Sequence, residues 1–155
     1  METDKEKRFD IFLMKDIETT LEDIFASGGT MTVYPKGTSM LPTLKEGRDS
    51  VELSSVSKIT PKEIYLYKRP NGEFALHRLL KVENDLLIFC GDNQLVLERV
   101  EKKQLLAYVS RVYHGEKEVS RKLSYRAFLF INSIWFFRRI GVKWRKLKKR
   151  FSKKD

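Results

Sequence analysis

Ser39 lies in the segment Gly37-Thr-Ser-Met-Leu-Pro-Thr-Leu44, just after a strand-like run and inside a turn flanked by glycine and proline. A serine held in such a turn presents its hydroxyl, and the backbone N–H groups around it can converge on one point, as an oxyanion requires. His77 follows 38 residues later, in Phe74-Ala-Leu-His-Arg-Leu-Leu80. An imidazole with an ordinary pKa of about 6.5 suits a general base at neutral pH, and activity that depended on it would rise through pH ~6–7. Asp92 stands in Gly91-Asp-Asn-Gln94, and Glu98 comes six residues after it. Either carboxylate is of the kind that orients an imidazole and stabilises its charged form. Nucleophile, base and acid together make the chemistry of acyl transfer, with Ser39, His77, Asp92 and Glu98 as the candidate catalytic residues. Each taken singly has a commoner structural role: a turn serine, a packed strand histidine, an ordinary Asp-Asn turn.

The remaining reactive side chains point elsewhere. His114 precedes Gly115 in a turn and reads as exposed, and the single cysteine, Cys90, sits inside an apolar run as a small core residue. There is no Cys/His cluster at metal-ligand spacing and no glycine-rich phosphate loop, so neither a metal nor a cofactor is expected.

These residues need elements to place them. Short apolar runs bounded by turn residues predict strands at Met31–Lys36, Ser50–Leu53, Glu63–Lys68, Glu73–Val82, Leu86–Cys90 and Leu105–Tyr113. Pro70-Asn71-Gly72 between two of these runs signals a hairpin. Alternation along the fourth run puts Ala75, His77 and Leu79 on one face. Ahead of the strands, Phe9, Leu13, Ile17, Leu21 and Ile24 recur at helical spacing and give out at Gly28-Gly29, a suitable C-cap. The expected fold is mainly β and mostly antiparallel, with an N-terminal amphipathic helix over 1–29 packed on a β domain over 30–120.

The charge is uneven. Residues 121–155 carry 13 Lys/Arg against one acid, while residues 1–120 carry 18 against 20. The body is therefore nearly neutral, and the tail holds the excess. Phe130, Ile134, Phe137, Ile140, Trp144, Leu147 and Phe151 form one helical stripe in that tail, with Arg138, Arg145, Lys146, Lys149 and Arg150 mainly off it. An aromatic stripe beside a basic face suits an interfacial helix on an anionic membrane, and nucleic acid is a poorer partner because it gives the stripe no role. The start Met-Glu-Thr-Asp-Lys-Glu-Lys-Arg has no signal-peptide character, and no run reaches the ~18–20 apolar residues of a spanning helix. A cytoplasmic protein, peripheral on the inner membrane face, is the expectation.

Three segments together resemble the signal peptidase I family. Its serine box reads roughly Ser-Met-x-Pro-Thr-Leu, matched from Ser39 to Leu44; its histidine-using branch, typified by endoplasmic-reticulum and archaeal enzymes, has a His-Arg pair, matched at His77-Arg78. The third box, roughly Gly-Asp-Asn, is matched at Gly91–Asn93, and Glu98 takes the place of the branch's acid six residues after the aspartate. The resemblance covers about residues 30–113. It implies a β-rich peptidase fold and a serine endopeptidase without cofactor, in which Ser39 attacks, His77 shuttles the proton, and Asp92 or Glu98 orients His77. The substrate would lie extended beside the strand before Ser39, with small residues before the cut.

The departures are specific. Where the family has Gly-Asp after the serine box, this chain has Gly47-Arg-Asp49; a second Gly-Asp before the next strand is here Lys62-Glu63; and the family's usual membrane anchor has no counterpart. Two other functions fit the same residues. One is a catalytically idle member that binds extended peptides. The other is a self-cleaving regulator of the repressor-peptidase type, although such proteins use lysine as base and carry a DNA-binding domain that one N-terminal helix cannot supply.

Overall fold

The computed structural model describes residues 17–119. All its strand pairings are antiparallel. The strands are β1 (Met31–Val33), β2 (Asp49–Ser54), β3 (Ile64–Lys68), β4 (Phe74–Glu83), β5 (Leu86–Cys90), β6 (Glu98–Glu101), β7 (Leu105–His114) and β8 (Lys117–Val119). They form one sheet in the order β1-β2-β7-β3-β4-β5-β6, with β8 added to β7. The mainly β expectation holds, and each of the six expected strands has a counterpart. The first is shorter than expected, because the chain leaves the sheet after Val33.

Two strands were not expected. β6 reads Glu-Arg-Val-Glu and β8 reads Lys-Glu-Val, so neither has the apolar alternation that marks a strand. Each pairs with a single neighbour, β5 or β7, where a charged strand is tolerated and discourages further pairing.

The hairpin at Pro70-Asn71-Gly72 joins β3 and β4 in register from Ile64↔Arg78 to Lys68↔Phe74. Gly72 adopts φ 89°, a conformation glycine adopts without steric cost. Residues 17–26 are helical and close on the glycine pair, where Gly28 N–H donates to Phe25 O and Gly29 N–H to Ile24 O. The start of the expected helix, with Phe9 and Leu13, lies outside the described residues, as does the whole tail from 121 to 155.

Alternation along β3 divides the core. Ile64 and Leu66 turn to one cluster, which holds Leu21, Met40, Leu44, Val51, Leu53, Ala107, Val109 and Val112. Tyr65 and Tyr67 turn to the other, with Ala75, Leu79, Leu87, Phe89 and Val100. Leu21 ties the helix to the first cluster, and Met40 and Leu44 tie the Ser39 segment to it. Burying a side chain of this size stabilises by about 1.5–3 kcal/mol, so the loop that carries the serine is anchored directly after it. Among the described residues, no helix is long and apolar enough to cross a membrane.

Candidate active site

The Ser39 segment is a run of turns rather than a strand. Gly37 has φ 84°, and its N–H donates to Glu46 Oε2 at 2.8 Å, so the chain doubles back around the serine. Leu44 N–H donates to Met40 O at 2.9 Å, and the Leu41–Pro42 peptide is cis. Asp49 closes the segment by accepting from Lys45 N–H at 2.7 Å and from Arg48 at 2.5 and 2.8 Å.

The turn after β5 holds this segment in place. Asn93 N–H donates to Ser39 O at 2.8 Å, and Asn93 Nδ2 to Thr38 O at 3.1 Å. Gly91 is required by closeness: a Cβ there would lie 2.7 Å from Ser39 O, a backbone atom, and 2.9 Å from Gln94 Oε1. Asp92 accepts from Thr43 Oγ1 at 2.5 Å and from both arms of Arg78, Nε at 2.8 Å and Nη2 at 2.7 Å. Arg78 in turn donates to Lys62 O at 2.7 Å. Asp92 is therefore the buried tie between the serine segment and β4, with both its oxygens engaged by Arg78 and Thr43.

His77, 2 % exposed, occupies the central strand β4 between β3 and β5. The expected face is seen: Ala75, His77 and Leu79 are all buried. Beside the imidazole, Tyr67 stacks on Phe89 with ring centroids 4.7 Å apart. His77 Nδ1 is 3.0 Å from Tyr67 Oη and 3.2 Å from Glu98 Oε1. Glu98 opens β6 and is gripped by Arg69, which donates from Nε at 2.8 Å and Nη2 at 2.7 Å, the two-pronged geometry that fixes a carboxylate in a plane.

The electrostatics follow from this packing. Burial pushes the His77 pKa below its ordinary value, against the nearby Glu98 and Asp92 charges, while Arg69 adds to the lowering. Arg69's hydrogen bonds hold Glu98 below the usual carboxylate range despite its burial, with help from the Tyr67 hydroxyl and His77. Burial and the Glu98 charge push the Tyr67 hydroxyl up, so it keeps its proton, which is directed at Glu98, and its oxygen can accept from Nδ1. Against an ionised carboxylate, which only accepts, the imidazole presents N–H at Nδ1. Nε2 is left as the lone-pair nitrogen.

Ser39 and His77 line one cavity of about 540 Å³. Its walls include Ile17, Val33, Leu44, Leu66, Ala75 and Leu76, and Arg69 and Gln94 also face it. Of the four expected residues, Ser39 and His77 line this cavity, Glu98 reaches His77, and Asp92 ties β4 to the serine segment. Ser39 and His77 make no direct hydrogen bond. His114 is half-buried rather than exposed, because its Nε2 packs 3.2 Å from Thr43 O and 3.7 Å from Asp49 Oδ2. Cys90 is a buried free thiol, as expected, and among the described residues no group of His, Cys, Asp or Glu is placed to hold a metal.

Tyr67 and Arg69 were not singled out from sequence. They lie in and just after a strand, 31 and 29 residues before Glu98, and nothing in their local pattern distinguishes them from other strand and hairpin residues. No family model matches the chain, and no curated protein matches it.

Proposed function

We propose that this protein is a serine endopeptidase that cleaves an extended, leader-like peptide, with Ser39 as nucleophile, His77 as general base and Glu98 as the acid that orients it. One observation carries the reading. Ser39 and His77 share a cavity, while the Nδ1 side of the imidazole is taken up by Tyr67 and by a carboxylate that Arg69 holds rigid. Ser39 Oγ attacks the scissile carbonyl carbon and gives its proton to His77 Nε2. The imidazolium then protonates the leaving amine, and the acyl group is left on Ser39. Water, deprotonated by the same imidazole, releases the acid and restores the serine. The apolar walls of the cavity take a side chain of the substrate, and the outer edge of β1, next to Ser39, can pair with its backbone. The fold we assign to the family resemblance is the signal-peptidase-like β fold. We assign the basic tail to an anionic membrane surface, which would put the site beside membrane-borne substrates.

The missing Ser39–His77 hydrogen bond favours a second reading, an idle domain that binds peptides without cutting them. Catalytic hydrogen bonds are often long without substrate and tighten when it arrives, so the two readings differ in activity rather than in apo geometry. The test is a peptide-library digest with the parent and Ser39→Ala. The peptidase reading expects cleavage by the parent and a loss on the order of 10⁴–10⁶ in the variant, with an unchanged melting temperature. Products from neither would favour the idle domain, and equal products from both would rule out Ser39 as the nucleophile.

A further inference from the structure

The orienting acid of the proposed site does not stand alone. Glu98 enters on β6, a short charged strand that pairs only with β5, and its carboxylate has to reach past the end of β5 to His77 on β4. A glutamate on such a strand has several rotamers open to it, and rigidity must come from elsewhere. It comes from the β3–β4 hairpin. Arg69 is the first residue after β3, and its backbone closes the turn: Arg69 N–H donates to Glu73 O at 2.8 Å, and Gly72 N–H to Arg69 O at 2.9 Å. Its side chain is then fully committed, with Nε and Nη2 on the two Glu98 oxygens and Nη1 on Glu73 Oε2 at 3.1 Å. Two residues earlier, Tyr67 projects from β3 to the same face as His77, to which it is a diagonal cross-strand neighbour through the pairs Tyr65↔His77 and Tyr67↔Ala75. Its hydroxyl lies 3.0 Å from Nδ1.

Resting on the peptidase reading, we infer that Arg69 and Tyr67 are positioning residues of the catalytic site. Arg69 clamps Glu98 in the plane where it meets His77 Nδ1, and Tyr67 completes the pair of oxygens that keep the ring proton on that nitrogen. The neutral imidazole is thereby held in one tautomer, with the Nε2 lone pair available to Ser39. The charged and titratable groups around His77 are Tyr67 and Arg69 from the β3 side, Asp92 from the turn after β5, and Glu98 from β6. Asp92 is paired with Arg78 and acts on the ring only through its charge, so Glu98 and the Arg69 that holds it are the groups that also set its geometry.

Two substitutions at Arg69 separate charge from geometry. Arg69→Lys keeps the positive charge but loses the fork, because an ammonium cannot hold both carboxylate oxygens. It should lower kcat/KM on the order of 10- to 100-fold through kcat, leaving KM and the acid limb of the pH profile in place. Arg69→Gln also removes the positive charge that depresses His77, so its acid limb should move to higher pH as well. Tyr67→Phe should lower kcat without moving KM. The companion measurement needs no activity: imidazole ¹⁵N shifts of His77 across pH, recorded in the full-length Ser39→Ala background. With Arg69 and Tyr67 present, Nδ1 should be the protonated nitrogen of the neutral ring; with Arg69→Gln the two nitrogens should shift toward a tautomer average and the midpoint should rise. Unchanged nitrogen shifts and midpoint in Arg69→Gln and Tyr67→Phe would overturn the inference, even if those variants melted earlier. If the nitrogens respond as described while the parent cleaves no peptide, the positioning role stands and the peptidase reading fails.

Discussion

Asp92 and Glu98 carry the same carboxylate, and their surroundings separate them. The family resemblance left open which of them orients His77. Asp92 has spent both oxygens on Arg78 and Thr43, whereas Glu98 reaches Nδ1. The two substitutions should therefore fail in different ways. Asp92→Asn leaves Arg78 buried without its counter-charge and should cost roughly 3–5 kcal/mol of stability in a urea titration. Glu98→Gln, on a partly exposed strand, should leave the melting curve nearly in place and lower peptidase activity by about 10²–10⁴. The same residues set the pH dependence. Because burial lowers the His77 pKa, the unprotonated base is already present below its ordinary titration range, so activity should rise with a midpoint under pH ~6.5 rather than across 6–7. A midpoint at or above that value would mean that the ring is not buried as described. At this scale the sequence marked Ser39, His77 and both acids, yet it could not rank the acids. Ranking depends on Arg69 and Arg78, and their carboxylate partners are 29 and 14 residues away.

The elements that carry the site were legible where apolar alternation was strong and illegible where it was not. β2, β3, β4, β5 and β7 each bury side chains of the core and showed themselves as apolar runs. β6 was hidden by its charges, although it delivers Glu98, because an edge strand is chosen for what it pairs with rather than for what it buries. Lys62, just before β3, takes φ 79°, the left-handed conformation that a glycine would supply freely. The turn after β5 is the clearest case of an element built around one contact. Its glycine looked like punctuation in the sequence; in the fold, Gly91 is where two backbones pass with no room for a side chain. Gly91→Ala should push the Ser39 segment off its seat and cut activity on the order of 10²-fold, since a displacement of about 1 Å is enough to do so. Its effect on the β-sheet circular dichroism should be small, because the clash falls on the loop. Full activity in Gly91→Ala would show that the turn does not position Ser39.

For the whole molecule, the charge divides between a nearly neutral stretch over 1–120 and a basic tail over 121–155. The aromatic stripe that the sequence gives the tail lies outside the described residues, and a row of large apolar side chains of this kind calls for a surface to cover it. If that surface is an anionic bilayer, each Lys or Arg close to it contributes about 1 kcal/mol, and part of the binding is lost in high salt. The full-length chain should float with anionic liposomes at low salt and less so at high salt, while a chain ending at Ser120 should stay in solution and still cleave. Equal flotation of the two, or tail-dependent binding to nucleic acid and none to vesicles, would remove the membrane assignment. The central claim, that Ser39 is a nucleophile activated by His77, is tested most directly by intact-mass measurement after exposure to a serine-directed acylating or phosphonylating reagent. The parent should gain one adduct, mapped to Ser39, with Ser39→Ala unlabelled and His77→Asn labelled far more slowly. A parent that gains no mass, or labelling that persists in Ser39→Ala, would contradict the account.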